Sequence, residues 1–405
     1  MLSLRRGPVV EAREPSGSFQ QLEVELDGER RPALADTALV GPAEVGDEVI
    51  VNVASRDLGL GSGGFDVVHV NLSRGLDGAG VAGAHVMKLN YTSLQHAVLT
   101  VEGDALTLPL AAAVGVFFLH GQLAPAAWAF QQAAPHARLG YVQTVGGALP
   151  GGLSDTVREL KSRGLIDGHL SAGQVYGGDG EAISTVGAIH HAGHDLGWDA
   201  ALCGPGPGIL GSGSRLGHGG MVALDTAHAA LALGAPTLIV PRMSSGDDRA
   251  RHRGLSHHAA HDLGWDAVVC GPGPGILGSA SALGHGGMAA LDSAHAALAL
   301  GARTVVVPRM SSGDERQRHR GLSHHAATVL ALLLDRVVVA APEHAATPEP
   351  PDERHDWRRA PADLEGYRAS GLPARTMGRG LDQDSLFFAA ALAGGRVLAD
   401  IIGSA

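Results

Sequence analysis

Cysteine is almost absent from this chain. Cys203 and Cys270 are the only two, and they hold the same place in two copies of a repeat, so neither a disulfide framework nor a Cys-x-x-C motif is written here. Lysine is as scarce, with Lys88 and Lys161 alone, and aromatics make up 4% of the residues. Together with a formal net charge of -11, this argues against a dominant nucleic-acid or anionic-membrane surface, because both depend on clustered Lys and Arg. Local basic patches remain open. Long apolar runs are missing too: the longest, Leu106 to Leu119, contains Pro109 and stops at His120, short of the ~20 residues a spanning helix needs. The opening MLSLRRGPVVEAREP lacks the apolar stretch of a signal peptide. A reducing, cytoplasmic location is expected.

Glycine, by contrast, is abundant, at 59 of 405 residues, without a collagen period. A hydrophobic content of 45% supports a sizeable core. Arg and Ala stand where Lys and larger residues are common, in the manner of a high-GC bacterial coding bias.

The most informative feature is an internal repeat. Residues 190–256 recur almost letter for letter at 257–323, and His-His-Ala marks the joint at 190, 257 and 324. Each copy reads as a helix end, a strand (Asp199 to Cys203; Asp266 to Cys270), a GPGPGILGS loop, a helix (Met221 to Leu233; Met288 to Leu300), a strand and an Arg/His-rich loop. This is a βαβ unit in tandem. A period of 67 residues matches none of the usual solenoids. Because the apolar stripe Met288, Leu291, Leu298 survives in the second copy, both copies are expected to fold and to widen one sheet.

The rest of the chain gives a fold class: α/β, with a mainly parallel Rossmann-like sheet covered by helices on both faces, plus a small N-terminal all-β barrel-like domain. Over residues 1–100 the pattern is strand-like and nearly free of helix. Leu22, Val24 and Leu26 alternate with Glu23 and Glu25 before the Asp27-Gly28 turn. From 105 to 341 strands and helices alternate, with strands expected at 114–119, 138–143, 169–176, 200–204 and 236–241 and helices at 124–134 and 154–163, the latter capped by Ser154. A strand follows at 336–340. The Pro-rich, charged stretch 342–362 reads as a loop or linker, and 363–405 as a strand and helix returning to the sheet.

In open parallel sheets ligands bind beyond the carboxyl ends of the strands. That rule gathers His120 with Gln122, Thr144 with Gly146 and Gly147, the turn Gly177-Gly178-Asp179, the GPGPG loop and residues 242–247. Gly206-x-Gly208-x-x-Gly211, repeated as Gly273-x-Gly275-x-x-Gly278, matches the spacing of a dinucleotide fingerprint. Its context fails, because proline alternates with glycine, the next helix starts late, and no acidic residue ends a strand about 20 residues on. An anion held by backbone N–H groups and plain tight packing both remain open. The second candidate is RARHRGLSHH with Arg251, His252 and Arg253, copied as RQRHRGLSHH with Arg318, His319 and Arg320. Ser323 reads as the cap of a helix through Ala326 to Leu334, so these side chains would flank a helix N-terminus, a ready anion site. A solvated basic loop is the plainer alternative. A metal held by His252, His257 and Asp247 is a third possibility, although His257 and His258, being adjacent, do not easily face one ion. His228 and His295 read as core-edge histidines and Cys203 as a small buried hydrophobe. Asp179 is either an acid-base or ligand group or the cap of a helix starting near Glu181.

The elements VMKLNYTSLQ (86–95), GGALP (146–150), GGDGEA (177–182), GPGILGSGSRLG (206–217), PRMSSGDDRARHRGLSHH (241–258) and TMGRG followed by FF (376–388) resemble, in order, those of an uncharacterised bacterial family, domain of unknown function three-eight-six-six. The resemblance spans nearly the whole chain and implies a single-copy chain close to 338 residues, which is this chain less one unit. It implies no activity, cofactor or catalytic residue.

The expectation is therefore a protein that binds a small anionic ligand, phosphorylated or carboxylate, at the carboxyl edge of the sheet. It would act as a hydrolase or transferase with Asp179, Asp247, His252 or His257 in acid-base roles. The alternatives are a non-catalytic binding or regulatory module and a metal-dependent hydrolase. Cofactor and oligomeric state are not legible.

Overall fold

The computed structural model describes residues 2–59, 64–76, 80–212, 217–240, 243–244, 254–255, 279, 281–299, 302–343, 353–372 and 374–403. Five strands open the chain: β1 (Leu4–Ala12), β2 (Phe19–Leu26), β3 (Glu29–Asp36), β4 (Glu48–Asn52) and β5 (Asp66–Asn71), with the one-turn helices α1 (Thr37–Val40) and α2 (Ala54–Asp57) between them. They close into a barrel in the order β1-β2-β3-β5-β4. Alternation dictates its interior: Val9, Leu22, Val24, Leu26, Val49, Val51 and Val68 point inward and form one buried cluster. The β2–β3 turn is the Asp-Gly turn of the sequence, with Asp27 at φ 53° and Gly28 at φ 82°, the left-handed pair that matches strand twist. The following hairpin, β6 (Val86–Lys88) with β7 (His96–Val98), is separate from the barrel. It leans on the α/β region, where Val86 and Val98 pack on Ile183 and buried Lys88 donates to Glu181 Oε2 at 2.6 Å.

The α/β region follows as β8 (Ala113–Phe117), α3 (Leu123–Ala133), β9 (Leu139–Thr144), α4 (Asp155–Ser162), β10 (His169–Ala172), β11 (Gly180–Ala182), α5 (Thr185–His194), β12 (Ala200–Pro205), α6 (Val222–Ala232) and β13 (Thr237–Val240). These strands make one parallel six-stranded sheet, β11-β10-β9-β12-β8-β13. Successive residues serve opposite faces. Ala201 and Cys203 enter a cluster with residues of α5 and α6, while Ala200 and Leu202 enter another with Leu123, Ala127, Val157 and Leu160 of α3 and α4.

Beyond the sheet lie the short strands β14 (Met243–Ser244) and β15 (Gly254–Leu255), then α7 (Ala289–Ala299), β16 (Val305–Val306), β17 (Met310–Ser311), β18 (Gly321–Leu322), α8 (His324–Leu332), β19 (Val338–Pro342) and β20 (Asp356–Ala360). The chain closes with α9 (Leu364–Ala369), β21 (Arg375–Thr376), β22 (Arg379–Gly380) and α10 (Ser385–Gly403). A second parallel sheet, β16-β19-β20, is covered by α10, whose Ala393, Val397 and Ile401 bury Ala340 and Ala360.

The second copy does fold where it is described, with Met288 fully buried in the turn before α7 and Leu291 on α7, but among the described residues it adds no strand to the first sheet; its expected strand Asp266 to Cys270 lies outside the described residues. Among the described residues β13 pairs only with β8 and β16 only with β19. The duplicated helices instead pack on each other, with the rings of His228 and His295 4.7 Å apart. Three local expectations need correction. The strand expected at 169–176 stops at Ala172, because Gly173 turns the chain with a φ of 68°. The segment after Asp179 is β11 rather than a helix; α5 starts at Thr185, capped by Ser184, whose Oγ accepts from Gly187 N at 3.0 Å. The stretch 342–362 contains β20, paired along its whole length with β19. No described helix is long and apolar enough to cross a membrane.

Candidate functional site

The chemistry concentrates beyond the carboxyl end of β16. The two-residue strands β17 and β18 pair antiparallel, Met310 with Leu322 and Ser311 with Gly321, and close the base of a loop over residues 312–320. Ser323 N donates to Arg309 O at 3.0 Å, which brings Arg309, before the loop, beside the start of α8, after it.

Asp314 is the hub of this loop and is almost completely buried. It receives Arg309 Nη2 at 2.8 Å, Arg316 Nε at 3.0 Å and Arg379 Nη2 at 3.3 Å. The Arg316 hydrogen bond is the largest reason its carboxyl is held far below the usual carboxylate range. Arg379 comes from the β21–β22 hairpin and also donates from Nε to Asp384 at 3.0 Å. Buried Asp384 accepts in addition from Ser311 Oγ at 2.7 Å and Ser312 N at 2.8 Å. Two carboxylates thus fix a fan of guanidinium groups. Arg320 leans back on the loop, donating from Nε to Asp314 O at 2.8 Å, whereas Arg318 has no hydrogen-bond or ion-pair partner among the described residues.

Four imidazoles adjoin the arginines. His325 stacks on His285 with ring centroids 4.2 Å apart, and on His324 at 3.9 Å; His319 lies 5.1 Å from His324 and 5.4 Å from His325. Burial lowers all four, reinforced by the Arg309 and Arg316 charges for His285, His319 and His324: His285 and His319 to about 4, His325 to about 3, and His324 below its usual value. Near neutral pH they are uncharged. Adjacency in sequence therefore does not keep His324 and His325 apart, since both rings stand at the open first turn of α8 and His319 reaches them from the preceding turn.

Ser323 occupies the N-cap position of α8 but makes no capping bond; its hydroxyl lies 2.9 Å from His319 Nδ1. The first turn of α8 thus keeps N–H groups that no side chain caps.

The other residues singled out from sequence fall elsewhere. Asp179 starts β11, and the pairing Leu170 with Gly180 sets it at the amino end of the sheet, opposite the expected edge. There it forms an ion pair with Lys161 and accepts from His169 N at 2.9 Å, a structural arrangement. His120 is near the expected edge, but its Nε2 lies 2.7 Å from Ser154 Oγ, the cap of α4, and burial lowers it to about 4. The loop with Gly206, Gly208 and Gly211 folds against Gly146 and Gly147. Leu210 N donates to Gly146 O at 3.0 Å and Ala148 N to Gly208 O at 2.9 Å, and a Cβ on Gly147 would meet Gly206 O at 2.5 Å. Close approach requires glycine at 206, where a Cβ would meet Gln143 Nε2 at 1.9 Å, and a φ of 68° favours it at 208. Cys203 is buried and its thiol is raised by burial, as a small hydrophobe would be. Asp247, Arg251, His252, Arg253, His257, Gly273, Gly275 and Gly278 lie outside the described residues; their counterparts Asp314, Arg318, His319, Arg320 and His324 build the cluster.

Sequence reasoning passed over Arg309, Asp314, Arg379, Asp384 and His285 as site residues. The motifs PRMSSGD and TMGRG carried the signal, since the structure brings these two distant segments together. A cleft of about 350 Å³ where the barrel meets α4, lined among others by Glu11, Arg13, Asp155 and Arg158, lies away from this cluster and mixes both signs of charge.

A closed five-stranded barrel joined to parallel sheets, with an Arg/His cluster at the edge of one of them, defines the class. The chain belongs to the family described as Protein of unknown function (DUF3866), whose family model matches residues 32–265 and again 258–395. The second match begins where the second repeat copy does. No curated protein and no solved structure matches the chain.

Proposed function

We propose that the protein binds a small anionic ligand, phosphorylated or carboxylate, at the Arg/His cluster, and acts on it in the cytoplasm as a hydrolase or transferase. The observation that carries this reading is the N-terminus of α8, which no side chain caps and which stands beside Arg318, a guanidinium without a described partner. A helix N-terminus with a guanidinium alongside favours an anion through aligned N–H groups and charge. Arg309, Arg316 and Arg379 add positive potential, and their anchoring on Asp314 pre-organises them. The glycine spacing does not support a Rossmann-type dinucleotide site, because α6 starts only at Val222, well beyond Gly211.

Thermal unfolding in inorganic phosphate, against chloride at matched ionic strength, tests the proposal. Saturation to 100 times Kd stabilises by about 2.7 kcal/mol, so the midpoint should rise by several degrees, and Arg318→Ala should remove most of the rise. No phosphate-specific shift in the parent, nor with a panel of phosphomonoesters and carboxylates, would sink it. Turnover of one of those phosphomonoesters separates an enzyme from a non-catalytic binding module.

A further inference from the structure

We infer that His319, His324 and His325 form a binding site for a divalent transition-metal ion of the zinc class, next to the arginines that hold the proposed anion. One ligand nitrogen from each of the three lies within 4.8 Å of those of the other two, a spacing that small side-chain rotations bring to common coordination by an ion about 2.0–2.1 Å from each nitrogen.

Three observations favour a metal over an idle stack of rings. Two of the imidazoles have their Nδ1 anchored: His319 Nδ1 on Ser323 Oγ at 2.9 Å, and His325 Nδ1 on Ala282 O at 3.3 Å. For His325 that is the outer-shell arrangement that orients a metal-ligating histidine and leaves its second nitrogen for the ion; His319 Nδ1 also lies 3.4 Å from the donor Arg309 Nη1, and the two contacts together fix its ring. His324 Nε2 is a buried atom without a hydrogen-bond partner, which costs free energy unless something occupies it. Ser323, finally, turns its hydroxyl to His319 rather than capping α8, so helix capping is given up to position an imidazole.

Charge sharpens the inference. Asp314 is committed to three arginines, so the three ligands are neutral and the ion's double charge stays uncompensated beside Arg309 and Arg316. The remaining coordination positions therefore favour an anionic ligand over water, and ion and anion should strengthen each other's binding by the same factor. This last step rests on the anion reading; the three-histidine site does not.

The test uses the full chain, stripped with EDTA and titrated with Zn²⁺ alone by calorimetry and with Co²⁺ by visible absorption. His324→Ala should remove one bound equivalent and the corresponding Co²⁺ spectrum, while Ser323→Ala should weaken the same site roughly 10- to 100-fold. His194→Ala is the control, because His190, His194 and Asp195 form a second group with donor atoms at similar spacing on α5. Far-ultraviolet circular dichroism checks that each variant folds, and His325→Gln replaces His324→Ala if that variant does not. Binding that survives the folded His324 or His325 variant, or that His194→Ala abolishes instead, overturns the site. Repeating the Zn²⁺ titration in phosphate tests the coupling alone: an unchanged affinity removes the link to the anion and leaves the histidine site standing.

Discussion

At the scale of the residue, the buried carboxylates of the cluster carry stability as well as geometry. Burial acts to raise Asp384, but bonds from Ser311, the Ser312 and Gly313 N–H groups and Arg379 outweigh it and hold it below the usual range. A carboxyl with a lowered folded value contributes stability that is present above its unfolded value near ~4 and is lost as pH falls through the folded one. Asp384→Asn should therefore cost about 3–5 kcal/mol at pH 7, as removal of one partner of a buried charged pair does, and should flatten the acid limb of the stability curve measured by urea unfolding. Gly140 makes a different prediction. A Cβ there would sit 1.9 Å from the ring of Trp198, so Gly140→Ala should destabilise by about 1–3 kcal/mol through overpacking, with a lower midpoint and unchanged phosphate response. Some of this scale was legible beforehand. Repeat arithmetic identified the RHRG-S-HH residues, and Ser154 was recognised as a cap. The placement of Asp179 at the amino end of the sheet was not legible, because spacing alone does not say at which end of a parallel strand a turn residue emerges.

At the scale of the element, α6 and α7 place equivalent residues of the two copies against each other. Burial raises Asp225 to about 6, and burial followed by repulsion from Asp225 raises Asp292 to about 8. The sign is opposite to that of Asp384: stability is full below the unfolded value near ~4 and is lost as pH climbs through about 8 for Asp292. Asp292→Asn should raise the thermal midpoint at pH 9 by roughly a few degrees and leave it unchanged at pH 4; a rise of equal size at both pH values would refute a titrating carboxylate. The helices themselves were readable from their 3.6-residue apolar stripes, and the barrel from its alternation. Strands β11 and β20 were not, since three to five residues rich in Glu, Arg and Gly carry no period. They are strands because a parallel neighbour offers them its backbone groups.

At the scale of the whole molecule, the repeat accounts for the two parallel sheets seen among the described residues. β13 and β16 are the same strand in two copies; β13 holds β8 and β16 holds β19. A chain with one copy would ask a single strand to hold both, giving one continuous parallel sheet, β11-β10-β9-β12-β8, the shared strand, then β19 and β20. Deleting residues 257–323 should accordingly yield a folded protein with a midpoint no lower than the parent's, as scanning calorimetry would show. Loss of folding would mean that the two copies have become mutually dependent. The repeat was plain in the letters; that its described strands β13 and β16 stand in different sheets was not, because pairing partners depend on tertiary competition between near-identical strands.

That competition has a further consequence. Thr237–Val240 reads TLIV and its copy at 304–307 reads TVVV, so either segment satisfies the side chains around β8. The sequence thus offers β8 two nearly equivalent partner segments one whole unit apart. Leu238 against Val305 is one of the few positions where the two differ, and Leu238 is largely exposed on β13, so side-chain packing there offers β8 little by which to prefer one segment over the other.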